Sequence, residues 1–292
     1  MIVVTTPTGH IGSKLVSALV EDGQAVRVIV RDPAKLPADV RGRVEVIEGS
    51  HGDAGTIDRA LDGADALFWC VPPAPRLTME ETYSGFTRPA ADAVARHGTP
   101  HVVVVTGIAR GTQWEDQAGL ATASARMVDL FRATNAAVRG IAMPSFMENN
   151  LMQLDAIRVG QFFGPIDADK KLPHTATRDM ADAAARLLTD RSWTGKEDVP
   201  VLGPDDLSFN DIAAIFSDLL GREVRYQQVP FDAFQAQLVN SGMPAEFASG
   251  YIAMMRAKNE GMDNVAAQRG GITGSTSFRA WAEQTLKQPE AA

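Results

Sequence analysis

The chain has 292 residues, 45% hydrophobic and 22% charged, with a formal net charge of −8; this suits one large globular domain plus a smaller one. The acidic balance, without a Lys/Arg cluster, argues against direct nucleic-acid binding, and no apolar run approaches the ~20 residues of a membrane span. A single cysteine, Cys70, excludes an intramolecular disulfide framework and fits a reducing compartment.

In chain order, Ile2–Val4, Ala25–Val30, Val44–Ile47, Ala66–Val71, His101–Thr106 and Gly140–Met143 are short apolar runs that read as strands. Between them Ile11–Glu21, Ala54–Leu61, Gly85–Arg96 and Ala121–Ala133 carry helical spacing. Such alternation predicts parallel βαβ units, and Gly23, Gly63 and Gly98 fit left-handed helix ends. Beyond Pro144 the reading is a short helix over Met152–Arg158, then Gly160–Lys171 with turn residues and little periodicity. Helices follow at Arg178–Thr189, Phe209–Leu220, Phe231–Val239, Glu246–Gly261 and Ser277–Leu286, with a strand at Val224–Val229. The expected architecture is an α/β, doubly wound parallel-sheet Rossmann fold over residues 1–150. Residues 151–292 form a smaller, α-rich substrate-binding cap, part of it packing back on the sheet. No basic and apolar leader precedes the first strand, so a cytoplasmic location is expected.

The segment Thr6-Pro7-Thr8-Gly9-His10-Ile11-Gly12 joins the first strand to the first helix, where a Rossmann protein holds a pyrophosphate. Gly9 would admit the anion to the backbone, and Gly12 would let the helix pack closely; Thr6 replaces the first glycine of the usual fingerprint. The second strand ends in Arg31-Asp32-Pro33-Ala34-Lys35. Arg31 and Lys35 suit the 2′-phosphate of NADP(H), while Asp32 could take a ribose hydroxyl and keeps NAD(H) open. Cys70-Val71-Pro72-Pro73 would flank the ribose, with Cys70 itself read as an inert core thiol. His51, after the third strand, is read as a surface-loop histidine.

These motifs resemble the NmrA-like group of atypical short-chain dehydrogenases/reductases. The resemblance rests on Thr6–Gly12, Val30–Lys35, Met143–Asn150, Arg178–Asp182, Leu202–Ser208, Leu220–Tyr226 and Thr273–Trp281 in this order. It implies a cofactor groove, a substrate cleft between Rossmann domain and cap, and a place beside the nicotinamide for Pro144–Met147, including Phe146. It leaves open whether the chain is a reductase or only senses the dinucleotide.

Classical members of the wider superfamily use Tyr-x-x-x-Lys as their proton relay. None of Tyr83, Tyr226 and Tyr251 has Lys four residues later, and the stretch where the resemblance places the Lys reads Ala121-Thr122-Ala123-Ser124-Ala125-Arg126. Thr106, at the end of the fifth strand, and Tyr83 are the catalytic candidates, each also explicable as structural. His174 is a weaker one, Glu148 and Asn149 orient substrate or cap a helix, and Trp114 lies in a polar segment expected to be mobile. Neither the five scattered histidines nor the lone cysteine has metal-ligand spacing, and there is no Gly-x-Ser-x-Gly elbow. The leading expectation is an NADP(H)-dependent reductase of a small apolar carbonyl, enone or quinone. The alternatives are a non-catalytic NAD(P)(H) sensor acting through a protein partner, and an isomerase or coupling enzyme using the cofactor structurally. A small-molecule substrate is the expected partner, with no nucleic acid and no membrane; a homodimer is compatible with the sequence.

Overall fold

Ile2, Val3 and Val4 form the central strand β1, and all three are buried. Continuous rather than alternating hydrophobicity is what a parallel strand covered on both faces requires. In the computed structural model, which describes residues 1–71 and 74–287, β1 pairs in parallel with β2 (Val26–Val30) and β4 (Ala66–Trp69). On the outer sides β2 pairs in parallel with β3 (Glu45–Glu48), and β4 with β5 (His101–Gly107). Adding β6 (Ala137–Met143) and β10 (Lys196–Leu202) gives the order β10-β6-β5-β4-β1-β2-β3. Strand order reverses between β1 and β4, and a binding crevice belongs at the carboxyl ends on either side of such a reversal.

Helices α1 (Gly12–Glu21), α2 (Ala38–Arg41), α3 (Ala54–Leu61), α4 (Phe86–His97) and α5 (Leu120–Arg132) make the crossovers. α1 buries the stripe Leu15, Val16, Leu19 and Val20, the spacing that turns one helical face to a sheet. Lys196 Nζ donates to the Arg132 and Thr134 carbonyls at 2.5 and 2.7 Å. A cation thus closes the C-terminus of α5, where the helix dipole favours positive charge.

Two compact units are distinguished. The first comprises Met1–Gly107, Ala123–Ala142 and Met180–Val199; the second comprises Ile108–Thr122, Met143–Asp179 and the described residues from Pro200 onward. In the second, β9 (Leu172–Thr175) pairs in parallel with β7 (Ser145–Phe146) and antiparallel with β11 (Asp206–Leu207). Separately, β8 (Gln161–Gly164) pairs in parallel with β12 (Arg225–Gln228). The end of β10 pairs in parallel with β13 (Ile272–Thr273), the eighth strand in the main order. Further helices are α6 (Leu154–Arg158), α7 (Thr177–Thr189), α8 (Phe209–Leu220), α9 (Phe231–Asn240), α10 (Ala245–Glu260), α11 (Met262–Ala267) and α12 (Phe278–Leu286). Around Phe162, the rings of Phe216 and Tyr226 lie 6.1 and 5.2 Å away, and Phe209 stacks on Tyr226 at 4.6 Å. Ser208 and Asp211 close a reciprocal capping box on α8, and Gly221 ends it in the left-handed region.

Trp114 departs from expectation. The indole is buried and its Nε1 donates to Glu260 Oε2 at 2.7 Å, so it is anchored rather than mobile. Further along the same segment, Gly119 has φ +51°, and a Cβ there would fall 1.9 Å from the Gly250 carbonyl oxygen. Only glycine tolerates both conditions.

His174 is also a core residue. Its Nε2 lies 3.3 Å from the Leu207 carbonyl oxygen, and burial pulls its pKa down to about 4; the Leu207 contact opposes that pull and the Lys258 charge reinforces it. The neutral ring is therefore favoured in the folded state, whereas the unfolded chain takes up a proton near pH 6.5. Stability should be complete above that value and fall as the pH drops towards 4, by roughly 2–3 kcal/mol for this residue at pH 4.5. Urea unfolding at pH 7 and pH 4.5 tests this: His174→Asn should flatten the acid limb, and an unchanged limb contradicts the assignment.

Candidate dinucleotide-binding site

At the crevice the ends of β1 and β4 are tied together by Thr5. Its hydroxyl donates to the Phe68 carbonyl at 3.0 Å and accepts the Cys70 N–H at 3.0 Å. The next residue, Thr6, has φ +50° and is the one non-glycine at positive φ among the described residues. A β-branched residue pays about 1–2 kcal/mol for that conformation. The turn closes with the Gly9 N–H donating to the Thr6 carbonyl at 3.0 Å.

The two glycines have separate reasons. A Cβ at Gly12 would stand 2.1 Å from the Thr6 carbonyl oxygen, and one at Gly9 would stand 3.3 Å from it. Gly12 thus permits α1 to start against the loop, and Gly9 keeps the loop surface bare. Among the described residues no side chain caps the N-terminus of α1, where first-turn amides and the helix dipole favour an anion. Ile11 and Pro7 are buried and anchor the turn, whereas Thr8 and His10 are exposed.

Arg31 and Lys35 are exposed at the end of β2. Asp32 spends its carboxylate on the backbone, accepting the Ala34 N–H at 3.0 Å as cap of the turn Pro33–Lys35. Among the described residues neither Arg31 nor Lys35 forms an ion pair. The Val30↔Glu48 register and the Gly49 N–H to Val30 carbonyl bond bring the following loop alongside. From that loop His51 wedges between Trp69 and Phe86, with ring centroids 5.2 and 4.8 Å away. It is half-buried rather than a surface histidine, and burial lowers its pKa to about 4, opposed by the Cys70 backbone and assisted by the Arg31 charge.

Val71 is half-buried beyond β4, and Pro72 lies outside the described residues. Desolvation pushes the Cys70 thiol up to about 11, with the Thr6 hydroxyl pulling the other way, so the group is a protonated thiol at neutral pH. Tyr83 sits in a π-helical turn, Glu81–Gly85, before α4 and is buried. Burial raises its phenol to about 12, with a further push from Cys70. Thr106 is buried at the end of β5, its Oγ1 3.2 Å from Ser124 Oγ. Sequence reading passed over Ser124; the signal for it was a hydroxyl at a buried position of α5, where polar atoms need a partner.

The first unit thus carries Thr6–Gly12, Arg31, Lys35, Val71 and Thr106 on loops, turns and strand ends of its sheet, with Tyr83 in the π-helical turn and Ser124 on α5. Pro144 and Phe146 belong to the second unit: Pro144 is buried, and Phe146 lies on β7 opposite Thr175. Glu148 accepts from the Thr177 N–H at 3.0 Å and from its hydroxyl at 2.6 Å, closing the start of α7, while Asn149 is exposed. Among the described residues no cluster of three or more His, Cys, Asp or Glu side chains could hold a metal ion, and no helix is long and apolar enough to cross a membrane.

The 2.1 Å clearance makes Gly12→Ala a direct test of the loop. Its methyl must push α1 from Thr6, so thermal unfolding should report a loss of about 1–3 kcal/mol. In a fluorescence titration NADPH affinity should fall by at least about tenfold, because displaced first-turn amides of α1 forfeit charge-assisted bonds to the anion. Wild-type affinity in that variant would mean the anion binds elsewhere.

Comparison with known proteins places the chain in a family. The chain is 30% identical over 247 residues to a (4-alkanoyl-5-oxo-2,5-dihydrofuran-3-yl)methyl phosphate reductase of Streptomyces griseus, covering 82% of this chain and 80% of that protein. It is also 30% identical over 253 residues to the NAD(P)H azoreductase of Xenophilus azovorans, covering 85% and 84%. In fold it matches the NADPH-dependent quinone oxidoreductase of Escherichia coli in complex with NADPH, with a TM-score of 0.79 at 20% identity, over 98% of this chain and 100% of the other. A profile of the NmrA-like family matches residues 1–271, and the chain belongs to that family.

Proposed function

We propose that the chain is an NADP(H)-dependent reductase acting on a small apolar carbonyl, enone or quinone. The observation that carries the cofactor half of this reading is the couple Arg31 and Lys35 at the end of β2, without an ion pair among the described residues, while one oxygen of Asp32 is engaged by the backbone. Arg31 offers a planar fork to the 2′-phosphate and Lys35 a point charge. The bare turn at Gly9 and Gly12, followed by uncapped amides of α1, suits the pyrophosphate. The family relatives named as reductases support the catalytic half.

When bound, the dinucleotide supplies the hydride. The residues around it contribute binding and alignment, the protein's usual share in cofactor chemistry. No Tyr-x-x-x-Lys pair stands in the sequence, so the proton comes from another hydroxyl or from solvent. Tyr83, held protonated with a pKa near 12, and Thr106 are the hydroxyls proposed for that role. The missing pair also favours a second reading, a dinucleotide sensor that binds without turnover.

Titration with NADPH and NADH, followed by NADPH oxidation against quinones and enones, separates the two. Turnover supports the reductase; tight binding with no turnover on any acceptor leaves the sensor. Arg31→Ala should weaken NADPH by about ten- to a hundredfold, the worth of one charge-assisted bond, and NADH by far less. Equal losses for both cofactors would remove the 2′-phosphate assignment.

A further inference from the structure

Where β5 ends, one helix side chain holds both its last polar groups. Ser124 Oγ of α5 lies 3.2 Å from Thr106 Oγ1 and accepts the Gly107 N–H at 3.0 Å. Gly140 of β6 carries no side chain beside this strand end, and a Cβ built there would stand 3.4 Å from the Thr106 methyl. Its oxygen against Ser124 favours one χ1 well for Thr106, and a β-branched residue has few to begin with. Ser124 itself is buried, on a face of α5 with buried Ala121, Ala125 and Val128. Alanine would be the better helix former there and would bury no polar atom. Its contacts to the strand end give the serine hydroxyl partners there.

We infer that Ser124 is a positioning residue for the ligand site of this sheet. It fixes the Thr106 hydroxyl and the Gly107 amide at the carboxyl end of β5, the edge at which open α/β sheets receive ligands, in the orientation that aligns the nicotinamide with its hydride acceptor. The inference rests on the reductase reading. Ser124 exchanges no proton in this role; it acts through Thr106, and alignment errors of about 1 Å can cost a hundredfold in rate.

The experiment compares wild type with Ser124→Ala, Ser124→Thr, Thr106→Val and the Ser124→Ala/Thr106→Val double variant. NADPH and 1,4-naphthoquinone serve as substrates, with circular dichroism as the check on folding. Ser124→Ala should lower kcat by about ten- to a hundredfold with KM and the NADPH Kd changed by less than about threefold. Ser124→Thr should recover most of the loss. The double variant should be no slower than the worse single one, because residues that act as a unit are non-additive. Should alanine compromise folding, Ser124→Cys keeps the volume, weakens the hydrogen bond and makes the same comparison. Wild-type kcat in Ser124→Ala or Ser124→Cys, or losses that multiply in the double variant, would overturn the inference. If the wild type reduces no quinone or enone, the reductase reading falls first, and the emission of bound NADPH decides the positioning role. A common spectral change in Ser124→Ala and Thr106→Val supports it, and an unchanged spectrum in either refutes it.

Discussion

The first helix of this protein begins almost on top of the strand that precedes it. Because a single carbon on residue 12 would come within 2.1 Å of the Thr6 carbonyl oxygen, the turn between β1 and α1 has one workable geometry. Much of the site follows from it. Thr6 is driven to φ +50°, its carbonyl takes the Gly9 N–H, and the first amides of α1 are left without a side-chain cap. The Thr5 hydroxyl then ties this turn to β4 across the reversal in strand order. A fingerprint with threonine in place of its first glycine is thereby reconciled with a standard turn. The left-handed residue is retained, at a conformational cost that the surrounding hydrogen bonds offset.

Charge follows the same logic at the neighbouring strand end. Asp32 lies beside Arg31 in sequence but turns to cap the backbone, so the guanidinium is not neutralised by its own neighbour. A carboxylate used as a local cap is a common fate for Asp at a turn. At β5 the contrast is instructive, because the Thr106 hydroxyl and the Gly107 amide both meet the Ser124 hydroxyl. One strand end offers unpaired charge and the other offers fixed geometry.

Most of the first unit was legible in the sequence because parallel strands covered on both faces are short unbroken apolar runs; β1, β4 and β5 follow that pattern. β10 did not, since Lys196-Glu197-Asp198-Val199-Pro200 opens with three charges and contains a proline. Its Asp198 is nevertheless used, accepting from Arg132 at 2.8 Å beside a glycine, Gly140, with no Cβ to obstruct it. Such a strand is specified by partners distant in sequence, which periodicity does not see. The same holds for Trp114, whose polar surroundings suggested mobility although Glu260 lies 146 residues away in sequence. Ser124 and His51 were obscured differently: their residue types are ordinary, and only the facing strand ends and rings reveal what each touches. Glycines, caps and strand-end charges were readable because their reasons are local.

The connectivity of the two units has a consequence for how the chain acquires its structure. Each is assembled from three separate stretches, and the chain passes from one to the other repeatedly, at residues 107, 122, 142, 179 and 199. No single start and stop isolates either unit. A ribosome that had released only the first half of the chain would have exposed β6 before β10 existed to cover its edge, an unpaired template of the sort that invites misassociation. Loop-closure entropy across Met143–Asp179 must be met before the first sheet gains that strand. Chain order, as well as the strength of core contacts, thus shapes how long that edge stays uncovered.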